Sequence, residues 1–314
     1  MNVSRKKQIL GIVILFITAI IWGASFVAQS VGMEKIEAFT FSGIRQLMGG
    51  FALLIFIIIR DSIKGKKLSA EQKLAQKEEN KTILKFGIPL GIVFFLATNF
   101  QQFAFNTSTS GKIAFITALY MFFVPIIGLF FKKRVPWVTW ICVIIAFVGL
   151  YFLCVESGKS LLSLTQGDYL AFACAIFFAA QILMIEKMAP QVDGIKLSCT
   201  QFFFSGIVST ILMFIFENPN WQNITAVTGA LLYSGLMSCG LAYTLQIVGQ
   251  KYTEATIASL IMCMESVFAA ISDVLILHTK MSLREIMGCT IMFIAIIISQ
   301  LSQKKYNEKK AGTE

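Results

Sequence analysis

The sequence predicts an all-α integral membrane protein whose ten transmembrane helices form two inverted five-helix repeats. Three observations carry that reading: apolar blocks of membrane-spanning length, a one-sided distribution of lysine and arginine, and an even division of the blocks into five and five. The 314 residues are 56% hydrophobic and only 14% charged, against roughly 25% in a soluble domain. Mean hydropathy is +0.75. A soluble chain of this length needs a charged exterior, and the charges here are too few to make one. The apolar residues gather instead in blocks of about 20, enough to cross ~30 Å of hydrocarbon as helix. No block alternates like a lipid-facing barrel strand.

In order, the spans are 9–28, 38–60, 86–106, 112–131, 136–155, 168–186, 197–216, 226–248, 254–277 and 284–302. The first is too long for a signal-peptide core and ends in no small-residue cleavage pattern, so it is a retained helix. Arg45 interrupts the second, and Glu265 and Asp273 the ninth. The eighth lies in a stretch, 218–250, with no charge at all. The connection 60–85 carries both signs of charge. Its segment Ser69–Lys77 has high helix propensity and reads as a short surface helix.

Of 27 Lys and Arg residues, 21 fall in the termini and loops of one side, five on the other, and Arg45 within a span. The positive-inside rule then makes residues 1–8 a cytoplasmic N-terminus and 303–314 a cytoplasmic tail. The net charge of +10 is accounted for by an anionic inner leaflet. Nucleic acid is excluded, because no basic face is interleaved with aromatics. The seven cysteines and the single histidine, His278, have no zinc or CxxC spacing, so no metal and no cofactor is expected. "GKS" at 158–160 has Leu153 where a phosphate-binding loop needs glycine, which excludes ATP. No clustered nucleophile, base or metal set supports an enzyme. Oligomeric state is left open.

The halves repeat. "GIVILFITAIIWGASF" from Gly11 faces "GDYLAFACAIFFAAQI" from Gly167 at an offset of 156, which also pairs Gly50 with Gly206. Later the offset reads as 144, pairing Gln102 with Gln246 and Ala114 with Ala258. Five spans per repeat turn the second copy over in the membrane. The predicted units are a first repeat at 9–155, an outer linker at 156–166 and a second repeat at 167–302. Inverted repeats are an architecture of secondary carriers, with a site between halves that opens to each side in turn.

Four stretches in order carry a family resemblance: "IWGASFVAQSVG" at 21–32, "FTFSGIRQLMGG" at 39–50, "FAFNTSTSGKIAFITALYMFFVPI" at 103–126 and "YTEATIASLIMCMESVFAAI" at 252–271. With them the chain resembles the drug/metabolite transporter superfamily, in particular its ten-helix EamA-type members, over residues 9–302. The resemblance implies a multi-pass carrier of the bacterial cytoplasmic membrane, many relatives being exporters of amino acids and other small metabolites. Ser266 stands where relatives commonly have proline. His278-Thr279-Lys280 stands where they have an acidic turn.

Candidate site residues follow from polarity inside spans. Arg45 is about 10 Å deep at 1.5 Å per residue, where a guanidinium must pair, snorkel or face an aqueous cavity. It suits a substrate carboxylate, a coupling or gating role, or a pair with Glu265, and its repeat-two counterpart is Gln201. Glu265 lies near mid-span and suits either proton coupling or structural gating. Asn99 and Gln102 share a helix face, and with Thr117 and Tyr120 offer neutral hydrogen bonds to a polar solute. Tyr243 and Gln246 repeat that spacing. Trp22, Ser25 and Gln29 form another stripe, and Gln181 aligns with Ser25. The rival reading of the amides is glue between helices. The hydroxyl run Thr107–Ser110 is expected to cap the fourth span.

The set predicts a secondary carrier for a small-molecule substrate, driven by a substrate or proton gradient and embedded in the lipid bilayer. An amino acid or related carboxylated or zwitterionic metabolite, exported, is the expected cargo. The alternative is an amphipathic drug or organic cation held by Glu265 and aromatic rings. A receptor or structural membrane protein would need no inverted halves.

Overall fold

The computed structural model describes residues 5–65, 69–132, 135–154, 164–277 and 281–311. The predicted outer linker as far as residue 163, with its GKS tripeptide, and the turn at His278 lie outside the described residues. The described chain is helical throughout. In order it forms α1 (Arg5–Met33), α2 (Ala38–Gly65), α3 (Ala70–Ala104), α4 (Ser110–Thr117), α5 (Tyr120–Phe130), α6 (Trp137–Cys154), α7 (Gln166–Met188) and α8 (Gly194–Phe216). Next come α9 (Trp221–Ala226), α10 (Thr228–Leu232), a π-helical segment (Tyr233–Tyr243), α11 (Thr244–Gln250), α12 (Ala255–Met262), α13 (Glu265–Leu277) and α14 (Leu283–Ala311). Among the described residues, eight rods are long and apolar enough to cross a membrane. Helix α6 is apolar but shorter, and α14 covers the tenth predicted span. The protein is therefore an all-α, multi-pass membrane protein of repeat-like architecture.

Two expectations need correction here. The surface helix predicted at 69–77 is not separate, because α3 runs unbroken from Ala70 to Ala104. Ser69 starts it with a capping box: its Oγ accepts from Gln72 N at 3.3 Å, and Gln72 Oε1 accepts from Ser69 N at 3.0 Å. Good helix formers follow, and adding residues to an existing helix costs far less than nucleating a new one. The second correction concerns continuity. The fourth predicted span is broken at Ala118–Leu119 and the ninth at Cys263–Met264, while the eighth passes through π geometry.

The two breaks are built alike. Leu119 N donates to Ile116 O and Met121 N to Ala118 O, both at 3.1 Å. Met264 N donates to Ile261 O and Ser266 N to Cys263 O, both at 3.2 Å. These tight i→i−3 bonds shorten the turn. Every one of these atoms maps onto its counterpart at an offset of 145, not the 144 read from sequence. In near-uniform apolar sequence a one-residue slip changes few identities, so only the geometry fixes it.

Packing repeats in the same sense. Helices α4 and α5 lie on α7, α12 and α13 lie on α1, α2 pairs with α8, and α6 with α14. The close approaches match too. A Cβ on Gly11 would meet Thr253 Oγ1 at 2.5 Å and Gly249 O at 2.9 Å; one on Gly167 would meet Ala104 O at 2.4 Å and Thr107 Oγ1 at 2.8 Å. The first helix of each half is thus pressed against a turn of the other half, and only glycine fits.

Polar groups stitch the centre. Buried Gln46 of α2 donates to Thr98 Oγ1 at 2.9 Å and accepts from Ser205 Oγ at 2.6 Å, and Asn99 Nδ2 donates to Ser209 Oγ at 3.0 Å. In hydrocarbon such groups have no water to turn to, so they bind α2, α3 and α8 to one another.

Candidate functional site

A small cavity of about 30 Å³ lies where the broken rods cross the first helices of the halves. Helix α1 supplies Trp22, Ser25, Phe26 and Gln29, α2 supplies Arg45, and α3 supplies Gln101. Across from them stand Tyr120, the first residue of α5, and Glu265, the first of α13. Phe178, Gln181 and Ile182 of α7, Ser238 and Tyr243 of the π segment, Gln246 of α11 and Met262 of α12 complete the wall. Space of that size holds about two waters. A metabolite enters only if helices move apart.

Much of the polar wall has hydrogen-bonding capacity left over. Trp22 Nε1, Ser25 Oγ, Gln29 Oε1, Arg45 Nε and Nη2, Gln181 Nε2 and Gln246 Oε1 are buried and have no partner among the described residues. A buried polar atom without a partner costs about 1–3 kcal/mol, so a wall of them is stable only if something else satisfies it. The Arg45 residue is 2% exposed, and its guanidinium lies 5.4 Å from the centroid of the Phe41 ring. It forms no ion pair with Glu265, although both face the cavity. Glu265 Oε1 instead accepts from Tyr120 OH at 3.1 Å. Trp22 and Tyr243 lie with ring centroids 4.5 Å apart, and Phe94 backs Tyr243 at 4.8 Å.

Of the residues proposed from sequence, Trp22, Ser25, Gln29, Arg45, Tyr120, Gln181, Tyr243, Gln246 and Glu265 share this wall. Asn99, Gln102, Thr117 and Gln201 do not. Asn99 is occupied by Ser209 and by its own helix, through Phe95 O at 2.9 Å. Thr117 Oγ1 accepts from Gln101 Nε2 at 3.5 Å, behind the wall. Gln102 and Gln201 are fully buried away from the cavity. The slip from 144 to 145 accounts for the position of Gln102. Gln101, not Gln102, is the counterpart of Gln246, and one residue along a helix turns a side chain by about 100°. Tyr120 is likewise the counterpart of Glu265. Ser238 was also missed, because it sits in π geometry that α-helical spacing does not track. Gln246 and Gln181 share one bond at 3.4 Å, so they are both wall and glue.

The Thr107–Ser110 run does not cap α4, whose N-cap Thr109 makes no side-chain bond. It holds α7 instead. Thr107 Oγ1 accepts from Gly167 N at 2.7 Å, and Ser108 Oγ donates to Asp168 Oδ1 at 2.6 Å. Lys112 Nζ pairs with Asp168 Oδ2 at 2.5 Å. The polar knot in the apolar stretch is a tie between elements.

A second hollow, of about 260 Å³, opens between α2, α3 and α8. Its wall is mostly Ile57, Ile83, Leu84, Cys199 and Thr200, with Asn80 and Lys196 at the edge. It is larger but brings no unsatisfied polar set together. Chemistry, not size, selects the first cavity.

An unsatisfied polar cavity enclosed by broken helices in a membrane bundle defines the class as a multi-pass membrane transporter. The comparisons agree. The chain belongs to the EamA-like transporter family, whose model matches residues 9–155 and again 165–301, within the drug/metabolite transporter superfamily; its members are transporters and not enzymes. It is similar to an uncharacterized transporter of Archaeoglobus fulgidus, 28% identical over 91% of this chain and 84% of that protein. It is also similar to the uncharacterized transporter YoaV of Bacillus subtilis, 24% identical over 93% and 96%. A solved crystal structure shares the fold, with a TM-score of 0.75 over 96% of this chain and 99% of that one at 14% identity.

Proposed function

We propose that this transporter is a secondary carrier that moves a small carboxylated or zwitterionic metabolite, an amino acid or a close relative, out across the bacterial cytoplasmic membrane by alternating access. The reading takes ten spans in two inverted repeats, 9–155 and 167–302, with both termini cytoplasmic. The charge bias, the matched breaks at an offset of 145 and the exchanged packing of the halves support it. One observation carries the substrate class. Arg45 is buried with donors unspent and faces the same cavity as Glu265 without being neutralised by it. A solute bearing both an anion and a cation satisfies both groups at once, and the Trp22–Tyr243 pair covers its side.

In this scheme Tyr120 and Glu265 lie at the starts of the two half-helices, so movement of either half changes their contact. Protonation of Glu265 is the natural coupling event. The alternative cargo, an amphipathic cation, is favoured by one specific arrangement: the rings of Trp22, Tyr120, Phe178 and Tyr243 line the same cavity as that carboxylate.

Flux in sealed vesicles, with a panel of amino acids and organic cations, tests both readings. Arg45→Gln is expected to lower transport of a carboxylated substrate at least tenfold, and Glu265→Gln to abolish its pH dependence. Unchanged carboxylate flux in Arg45→Gln, with cation flux lost in Glu265→Gln, would establish the alternative. Retained pH dependence in Glu265→Gln would make that residue structural.

A further inference from the structure

The antiparallel pair α2–α8 is closed at both ends by carboxylates, and the two closures are equivalent under the repeat. At the end predicted to face outward, Glu217 at the C-terminal end of α8 reaches the start of α2. Its Oε1 accepts from Phe39 N, and its Oε2 from Thr40 N and Thr40 Oγ1, all at 2.7 Å. At the other end, Asp61 near the C-terminal end of α2 reaches the start of α8. Its Oδ2 pairs with Lys196 Nζ at 2.8 Å, while neighbouring Arg60 Nη2 pairs with Asp193 Oδ2 at 2.7 Å. The offset of 156 that relates Gly50 to Gly206 carries Asp61 onto Glu217 and Thr40 onto Lys196. Each helix therefore ends in an acid that grips the first turn of the other.

We infer that Glu217 and Asp61 are paired latches of the transport cycle, positioning residues that decide which face the cavity opens to. The cavity is only about 30 Å³ with both latches engaged. A carrier that opens to one face must part the helix ends on that face while the opposite ends stay together. The latches use different physics. Glu217 takes neutral donors at a helix N-terminus, where backbone N–H groups and the helix dipole favour an anion. Asp61 and Asp193 instead take Arg60 and Lys196, side chains 18% and 11% exposed, whose attraction is partly screened by salt. The two faces are thus held with unequal strength and unequal salt sensitivity, which biases the resting carrier toward one face.

This inference rests on the carrier reading above, but not on which face is cytoplasmic. Its test is side-specific labelling of Ser238→Cys, a cavity-wall position, by a membrane-impermeant maleimide in vesicles of both orientations. The same chain without that cysteine gives the background. Glu217→Gln is expected to raise labelling from the α1–α2 turn side and lower it from the other, by roughly tenfold for a shift of about 1.4 kcal/mol in a two-state balance. Asp61→Asn is expected to do the opposite, and Glu217→Asp to restore part of the wild-type ratio. A merely structural role would not give opposite signs. Changes of the same sign, or no change from either face, would make the pair a rigid seam and overturn the inference. If either variant fails to fold, Thr40→Val and Lys196→Met weaken the same latches and are held to the same opposition. Labelling of Lys35→Cys reads the orientation separately, so a reversed topology would correct the proposed orientation while the opposition of signs still decides the latches.

Discussion

Gly23→Leu is expected to remove most of the folded, monodisperse protein recovered in detergent. A Cβ at Gly23 would lie 2.4 Å from Phe268 Cβ, 2.6 Å from Phe268 C and 2.7 Å from Ala269 N. Two of those three atoms are backbone of α13, so no rotamer change relieves the clash. Helix α1 must back away from α13 one residue from Trp22, beside the cavity. Forcing extra volume into a packed contact costs about 1–3 kcal/mol even where side chains can adjust, and more where backbone must move. Against a total stability of roughly 5–15 kcal/mol that is a large fraction. Size-exclusion profiles and thermal unfolding of the purified protein measure it. Gly229→Ala, with nothing within 4 Å of its Cβ, is the matched control and should be near neutral. Wild-type yield and stability in Gly23→Leu would show that α1 and α13 are not in this contact.

The second large effect belongs to Asp168. Its side chain is fully buried and accepts from Ser108 Oγ, from Lys112 Nζ and from Thr165 N at 2.7 Å. Asp168→Leu takes that acceptor from all three donors at once and also breaks the Thr165 capping box that starts α7. Removing one partner of a buried pair costs about 3–5 kcal/mol, and Lys112, 22% exposed, recovers part of that by hydration. A loss of about 2–3 kcal/mol is expected. Asp168→Asn keeps a carbonyl acceptor and should lose about half as much. Thermal unfolding in detergent measures both. Equal stability of Asp168→Leu and wild type would mean that the turn between α3 and α4 is held on α7 by packing and the Gly167–Thr107 bond.

The stripes of Trp22, Ser25 and Gln29 on α1 were legible because a straight helix keeps its phase, and spacings of three and four place side chains on one face. Arg45 and Glu265 were legible for a different reason: a charge inside an apolar block is costly wherever it faces lipid. The same logic failed for Gln102 and Gln201. Both are polar and fully buried, yet polarity alone does not say which neighbour an amide faces. Thr107–Ser110 carried a capping pattern, but the groups that claim Thr107 and Ser108, Gly167 N and the Asp168 carboxylate, are sixty residues away. Hydrogen bonds of that range leave no periodic trace in a chain.

Sequence alone determined the solvent, the approximate positions of the spans and the likeness of the two halves. Those features depend on hydrophobic runs, on loop charge and on equal spacing, all of which are additive along the chain. Tertiary structure decided the rest. It set the register between halves at 145 residues for the broken rods, placed Gln101 rather than Gln102 in the wall, and wound Tyr233–Tyr243 as a π segment that brings in Ser238. It also turned Glu217 and Asp61 from ordinary helix-end acids into equivalent grips on opposite ends of one helix pair. The reason is geometric: a rotation of one residue, or an acid reaching the first turn of a helix far away in sequence, costs nothing in local propensity and is chosen only when the helices pack.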